Sequence, residues 1–250
     1  MNSGLIKKKF SKSIATYDDN ALAQKQITEK LFALICEYLP GIPNSLFEIG
    51  CGTGLLTRKM VSLFPDVNYY LNDINDNVEQ ALPAIFAGKN HTFIKGDAQI
   101  IDYPKADLII SSSTIQWFNN LRLFVNKVGE SLPDKGYLFI STFGKANLKE
   151  IRELTGSGLD YYTINELEGL FSEKFEILHI SGEEISLKFT TPLQVLTHLR
   201  NTGVNAGSNG IFRSPGKFKL FCQAYKEKFS ADNNVVLTYN PVYIALRKRN

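Results

Sequence analysis

Short apolar runs alternate with amphipathic stretches through most of the chain. In residues 20–39, apolar residues recur at helical spacing until Pro40 and Gly41 end the pattern, which predicts a helix. Runs such as 45–49 and 107–110 are mostly apolar, as is typical of parallel strands buried on both faces. Strands that alternate with helices in this way predict an α/β fold with a parallel sheet and right-handed crossovers.

The other elements follow from the same pattern. The predicted strands are residues 45–49, 68–73, 91–94, 107–110, 137–140, 175–180 and 242–246. The predicted helices are residues 20–39, 55–64, 75–87 (broken at Pro83), 119–132, 165–171, 192–201 and 217–229. Residues 203–216 are rich in glycine and are predicted to form a loop. We therefore expect a helical insertion over 190–238, before the last strand, which covers the strand ends and determines substrate specificity.

Composition narrows the class of protein. A chain of 250 residues with 44% hydrophobic and 21% charged residues is typical of a globular protein with a substantial core. The 28 basic and 25 acidic residues leave a net charge of +3, too small to indicate a nucleic-acid binder. The three cysteines lack C-x-x-C spacing, and no apolar run is long enough to cross a membrane. We expect a cytoplasmic protein with no membrane or nucleic-acid partner.

The strongest chemical signal is a glycine-rich turn. Glu48 lies in the first predicted strand, and Gly50, Gly52 and Gly54 follow it before the next helix. Glycines allow a sharp turn and a close approach of the backbone to a ligand, and the helix N-terminus offers free N–H groups. The G-x-G-x-G spacing differs from the G-x-G-x-x-G that suits a pyrophosphate, which argues against an NAD-dependent oxidoreductase. A carboxylate at Glu48 can instead hold a cationic amino acid.

Two more strand ends carry acidic residues. Asp73 ends the second predicted strand, where a carboxylate can accept both hydroxyls of a ribose, and Ile74 follows it. Asp97 and Ala98 follow the third strand, and the Asp side chain with a neighbouring N–H can bind an adenine edge. These positions, in this order, predict a nucleoside site at one edge of the sheet.

Together these motifs resemble the class I S-adenosylmethionine-dependent methyltransferases over about residues 44–142. The resemblance implies a Rossmann-like, mostly parallel seven-stranded sheet with an antiparallel last strand. It also implies S-adenosyl-L-methionine as cofactor and S-adenosyl-L-homocysteine as product. The residues that it assigns to cofactor binding are Tyr17, Glu48, Gly50, Gly52, Gly54, Asp73, Ile74, Asp97, Ala98 and Ser113.

A narrower resemblance runs almost end to end, to the BioC-type malonyl-[acyl-carrier-protein] O-methyltransferases. It rests on residues 10–18, 48–58, 116–117, 141–148, 202–206 and 237–243. At the start of the pattern, Ile14 stands where the family has alanine, which leaves the spacing intact. The resemblance implies one methyltransferase domain over 1–250, with an N-terminal lid and helix (1–43), the cofactor-binding core (44–142) and the insertion (190–238).

The implied reaction is methyl transfer to the free carboxylate of malonyl-[acyl-carrier protein], and the ester then enters biotin synthesis through pimelate. A carboxylate is already ionised near pH 7, so we predict no general base. The three histidines are scattered in the sequence, and we predict no metal site. A monomer is expected. Two alternatives are a methyltransferase for a free dicarboxylate such as trans-aconitate and a non-catalytic S-adenosylmethionine-binding protein.

A malonyl carboxylate needs hydrogen-bond donors, and the carrier protein is acidic. The candidates for positioning the substrate are Gln116, Trp117, Arg152, Arg200 and Asn205. The candidates for a surface that docks the carrier are Lys145, Lys149, Lys188, Arg200, Lys217 and Lys219.

Overall fold

Strands and helices alternate along the chain. The computed structural model describes Gly4 and residues 17–203 and 214–250. The strands are β1 (Ser45–Ile49), β2 (Asn68–Asp73), β3 (His91–Lys95), β4 (Leu108–Ser112), β5 (Tyr137–Phe143), β6 (Phe175–Gly182), β7 (Ile185–Phe189), β8 (Ser230–Ala231), β9 (Asn234–Tyr239) and β10 (Pro241–Lys248). The helices are α1 (Leu22–Tyr38), α2 (Leu55–Leu63), α3 (Leu82–Phe86), α4 (Leu121–Ser131), α5 (Lys149–Thr155), α6 (Ile164–Ser172), α7 (Pro192–Asn201) and α8 (Pro215–Phe229).

Seven of the strands form the main sheet, in the order β3-β2-β1-β4-β5-β10-β6. The pairs β1–β2, β1–β4, β2–β3 and β4–β5 are parallel. Strand β10 pairs antiparallel with both β5 and β6. The predicted seven-stranded, mostly parallel sheet with an antiparallel last strand is confirmed.

Both faces of this sheet are covered. Leu46 of β1 belongs to one apolar cluster and Phe47 to another, because successive side chains of a strand point to opposite faces. Helices α1 and α2 supply Ile27, Leu31 and Met60 to the first cluster, while α4 and α6 supply residues to the second. Burial on both faces explains why the strands contain continuous apolar runs.

The insertion contains the predicted helices α7 and α8, but also β8 and most of β9, which the sequence analysis did not predict. Strands β7, β9 and β8 form a second, antiparallel sheet of three strands, in which Leu187 pairs with Leu237. In β7, Ile185 and Leu187 are buried and Lys188 is exposed, so the strand follows a period of two. Such a short alternating pattern is easily missed beside the stronger helical pattern of α7 and α8.

Other elements differ from the sequence prediction or lie outside the described residues. The weak helix predicted over 75–87 is a 3-10 turn, Asp76–Ala81, followed by α3, with Pro83 in the first turn of α3. Helix α5 was not predicted. The predicted loop over 203–216 lies largely outside the described residues, as does most of the N-terminal motif 10–18. Among the described helices, none is long and apolar enough to span a membrane.

Candidate active site

The carboxyl ends of β1, β2 and β3 meet at one edge of the main sheet. Because these strands are parallel and adjacent, the glycine-rich turn after Ile49, Asp73 at the end of β2 and Asp97 after β3 lie side by side. Topology therefore places the three predicted motifs together, at the edge where α/β sheets bind ligands.

The glycine-rich turn needs its glycines for two different reasons. Gly50 has a φ of +69°, and a Cβ there would collide with the side chain of Thr114, which follows β4. Gly52 has a φ of +53°, but a Cβ there would meet no described atom within 4 Å. Gly50 thus permits close packing within the protein, whereas Gly52 presents its open side to a cavity.

Asp73 connects the turn to β2. Its Oδ2 accepts a hydrogen bond of 2.9 Å from the Gly52 N–H, and its Oδ1 accepts one of 2.8 Å from the Asn75 N–H. Burial raises the pKa of the Asp73 carboxyl, and the backbone hydrogen bonds oppose this effect. Each oxygen keeps a lone pair for a further donor.

A cavity of about 130 Å³ opens beside these residues. Nine of the residues that the sequence predicted to bind the cofactor or position the substrate line this cavity. These are Tyr17, Gly50, Gly52, Asp73, Ile74, Asp97, Ala98, Ser113 and Trp117. Asn72, Asn75 and Phe118 also line it, although they were not predicted. Asn75 lies two residues beyond Asp73, and a polar side chain this close to a predicted site residue could have indicated it in the sequence.

A smaller cavity of about 50 Å³ shares several walls with the first. Tyr17, Gly50, Gly52 and Ser113 line both cavities, so the two form neighbouring parts of one site. Glu48 lines only the smaller cavity.

Glu48 is buried, with 1% of its surface exposed. Its Oε2 accepts a hydrogen bond of 2.7 Å from the Thr57 hydroxyl. Burial raises the pKa of Glu48 to about 8, the Thr57 hydrogen bond opposes the rise, and the negative charge of Asp73 adds to it. A cation in the smaller cavity would favour the ionised carboxylate.

The chain before α1 is attached to the glycine-rich turn. The Thr53 hydroxyl donates a hydrogen bond of 2.6 Å to Asp18 Oδ1. The neighbouring Tyr17 lines both cavities, and burial raises the pKa of its phenol. The prediction that Tyr17 lies at the site is consistent with this position.

Three buried polar atoms at the site lack a hydrogen-bond partner among the described residues. They are Ser113 Oγ, Asn75 Nδ2 and Gln24 Oε1. Ser113 also has a φ of +53°, which is uncommon for a residue other than glycine. Buried polar groups are rarely left unpaired, so these atoms indicate a polar ligand.

Gln24 and Thr28 line the smaller cavity and were missed in the sequence. Both lie on the buried face of α1, among Ala23, Ile27 and Leu31. The available signal was two polar residues four positions apart within an apolar stripe.

Other predicted residues lie elsewhere. Gly54 and Gln116 line neither described cavity. The Gln116 Nε2 donates a hydrogen bond of 2.6 Å to the Ser113 carbonyl.

The two arginines predicted to position the substrate also lie away from the cavities. Arg152 donates a hydrogen bond to the Lys145 carbonyl and lies 5.6 Å from the Tyr161 ring centroid. Arg200 is exposed on α7, and Asn205 is outside the described residues. Neither arginine lines a described cavity. Within the described residues, no cluster of three or more His, Cys, Asp or Glu could hold a metal ion.

Comparison with known proteins agrees with this architecture. Residues 23–174 match a family model described as a methyltransferase domain. The fold is similar to that of the N-methyltransferase NodS from Bradyrhizobium japonicum, whose structure contains S-adenosyl-L-homocysteine (TM-score 0.59, 10% identity, 98% of this chain and 99% of that chain). It is also similar to YcgJ from Bacillus subtilis (TM-score 0.65, 14% identity, 89% and 99%). The fold and the site define a methyltransferase.

Full-length relatives are more specific. The malonyl-[acyl-carrier protein] O-methyltransferase of Bacteroides thetaiotaomicron is 37% identical over 259 residues, covering 100% of this chain and 99% of the relative. The protein of the same name from Acinetobacter baylyi is 34% identical, covering 99% and 98%. The chain belongs to the malonyl-[acyl-carrier protein] O-methyltransferase family.

Proposed function

We propose that this protein transfers a methyl group from S-adenosyl-L-methionine to the free carboxylate of malonyl-[acyl-carrier protein]. The observation that carries the proposal is a full-length family match combined with a site that keeps all three predicted acidic residues. The resulting methyl ester masks the negative charge, so that the chain can be elongated toward pimelate. Three free cysteines are consistent with action in the cytoplasm.

The residues present suit this cofactor. Asp73 offers two carboxylate oxygens to the ribose hydroxyls, and Asp97 with Ala98 offers an acceptor and a donor to the adenine. Glu48 and the glycine-rich turn face the amino-acid end. Ser113 Oγ and Asn75 Nδ2, which lack partners among the described groups, can pair with polar atoms of the bound nucleoside.

The chemistry requires positioning more than proton transfer. Bound S-adenosylmethionine supplies an electrophilic methyl group on a sulfonium. The malonyl carboxylate is ionised near neutral pH, so no residue needs to remove a proton. Tyr17, Trp117 and Phe118 surround the larger cavity with aromatic rings, which exclude water from the nucleophile and hold the reactants together.

A direct assay tests the function. The full chain is incubated with S-adenosylmethionine and malonyl-[acyl-carrier protein], and the carrier is weighed by mass spectrometry. We expect a gain of one methylene on the malonyl form and none on the acetyl form, which has no free carboxylate. Methylation of free dicarboxylates without a carrier would contradict the proposed substrate. Binding of S-adenosylhomocysteine without turnover of any acid would indicate a non-catalytic binding protein.

The carrier protein is expected to dock on the insertion. Helices α7 and α8 carry one carboxylate, Glu227, and five cations, of which Lys228 is paired with Glu153; the other four are Arg200, Lys217, Lys219 and Lys226. Other cations predicted for docking are in ion pairs: Lys145 with Glu166, Lys149 with Glu184, and Lys188 with Asp232. Pairing reduces their value for an acidic partner, so we restrict the docking surface to α7 and α8.

Apolar groups and position support this α7–α8 surface. Leu193 and Leu220 are 57% and 68% exposed on these two helices. Asn201, at the end of α7, donates a hydrogen bond of 3.3 Å to Asn20, three residues after Tyr17. The surface therefore adjoins the side of the site where Tyr17 lies.

Charge reversal tests the docking surface. Lys217→Glu combined with Lys219→Glu should lower kcat/KM for malonyl-[acyl-carrier protein] about 10-fold at low salt, because charge complementarity mainly raises the association rate. The defect should shrink as salt screens the charges. Lys135→Glu is the control, since Lys135 is exposed in the turn before β5, at the opposite end of that strand from the site. Equal defects in both variants, or a defect that salt does not reduce, would contradict this docking surface.

Cofactor binding should also release a proton. Below a pH of about 8, the Glu48 carboxyl of the free protein is protonated. The ammonium of the ligand favours the carboxylate, so binding at pH 6.5 should release on the order of one proton. Calorimetric titration with S-adenosylhomocysteine in buffers of different ionisation enthalpy measures this number. Glu48→Gln should abolish the release; equal release in both proteins would assign the proton to another group.

A further inference from the structure

A buried chain of polar side chains connects the insertion to the smaller cavity. His198 on α7 is 4% exposed, and its Nε2 lies 2.9 Å from the hydroxyl of Tyr239, which ends β9 and is 1% exposed. The side chains of Thr202 and Gln24 also lie near the Tyr239 phenol and lower its pKa, against the larger effect of burial. Gln24 is the end of this chain at the cavity that Glu48 lines.

The donors and acceptors in this chain can be assigned. Gln24 Oε1 is buried and has no partner in the described part of the protein, and we therefore assign the side of the amide nearer Tyr239 to its nitrogen. The Tyr239 oxygen accepts from that nitrogen, and its proton is then available to His198. Burial lowers the pKa of His198 to about 4, so the imidazole is neutral at pH 7 and one ring nitrogen can accept.

Tyr239 therefore determines which way the Gln24 amide faces. Turning the amide over would direct its oxygen at the Tyr239 hydroxyl, whose proton would be engaged by His198 in the tautomer that accepts at Nε2. With the nitrogen fixed on Tyr239, the Gln24 oxygen is left as a buried acceptor at the cavity that contains Glu48. An unpaired buried acceptor costs free energy unless a donor arrives.

We propose that Gln24 is a second acceptor, beside Glu48, for the ammonium group of the cofactor's amino-acid end, and that Tyr239 is the positioning residue that orients it. The inference rests on the proposed cofactor. An ammonium has three N–H donors, more than the Glu48 carboxylate would take, and Gln24 provides a neutral acceptor without adding a second charge. The same contacts link the substrate-side insertion to the cofactor site.

Two ligands that differ only in the amino-acid end test this assignment. S-Adenosylhomocysteine carries the ammonium, whereas 5′-methylthioadenosine keeps the nucleoside and thioether but lacks the amino-acid group. For Gln24→Met, which preserves the size of the side chain, calorimetry should show at least a 10-fold loss of affinity for S-adenosylhomocysteine. Affinity for 5′-methylthioadenosine should change less than twofold. Gln26→Met is the control, because Gln26 is on the same helix but exposed.

Tyr239→Phe removes a single oxygen and tests the positioning role. It should lower the affinity for S-adenosylhomocysteine about threefold or more and leave the affinity for 5′-methylthioadenosine unchanged. A merely structural role would instead weaken both ligands equally. If Gln24→Met fails to bind 5′-methylthioadenosine and is therefore misfolded, the two ligand affinities of Tyr239→Phe still test the proposal.

The results separate this inference from the proposed function. Unchanged S-adenosylhomocysteine affinity in Gln24→Met would overturn the role of Gln24, while binding by the unmodified protein would leave the proposed cofactor in place. Failure of the unmodified protein to bind S-adenosylhomocysteine would overturn both.

Discussion

Gly52→Val is expected to reduce affinity for S-adenosylhomocysteine by at least about 100-fold, the largest effect that we predict for one substitution. A Cβ at Gly52 meets no described protein atom within 4 Å, because that side of the residue faces the cavity. A branched side chain would fill the space where the backbone approaches the ligand. Methyl transfer should be lost together with binding.

The control must reproduce the backbone strain without the cavity. Gly156, which ends α5, has a φ of +64°, and a Cβ there also meets no described atom within 4 Å. Gly156→Val therefore imposes a similar left-handed strain, of roughly 1–2 kcal/mol, away from the site. Thermal unfolding should be affected similarly in the two variants, whereas ligand affinity should fall only for Gly52→Val. Equal affinities would mean that the glycine-rich turn does not contact the ligand.

Asp73→Ala is expected to weaken S-adenosylhomocysteine binding about 100-fold, since hydrogen bonds to a charged group contribute about 1.5–3 kcal/mol each. Part of the effect arises from the turn, because Asp73 Oδ2 also accepts the Gly52 N–H. The core should remain folded, since Asp73 lies at a strand end and is only partly buried by its neighbours.

Asp66→Ala separates a site effect from a general loss of negative charge. Asp66 precedes β2, as Asp73 ends it, but its side chain is 93% exposed. Calorimetry should find the affinity of Asp66→Ala within twofold of the unmodified protein. Undiminished affinity in Asp73→Ala would show that this carboxylate does not hold the ribose.

The sequence predicted the site best where function depends on strand ends. Asp73 ends a recognisable strand, Asp97 and the glycine-rich turn each follow one, and parallel pairing places all three at one edge. No knowledge of side-chain packing was needed to bring them together. For the same reason the alternation of strands and helices along the chain was predictable from alternating apolar runs.

Prediction was weaker where partners come from distant parts of the chain. Arg152 and Arg200 were candidates for the substrate carboxylate, but one bonds to a backbone carbonyl and the other is exposed on α7. Lys149 and Lys188 are cations in the sequence, whereas ion pairs with Glu184 and Asp232 neutralise them in the fold. The residue type shows which charge a side chain carries but not which group it pairs with in the fold.

The sequence by itself therefore determined the α/β class, the parallel strands and the acidic strand ends, because helical and strand periodicity are local properties of the chain, and the family resemblance added the antiparallel last strand. Only the tertiary structure decided that β7 and β9 pair, and that Tyr239 of β9 lies between Gln24 of α1 and His198 of α7. These contacts join elements that are far apart in sequence. Their selection depends on the packing of complementary surfaces, which no local pattern encodes.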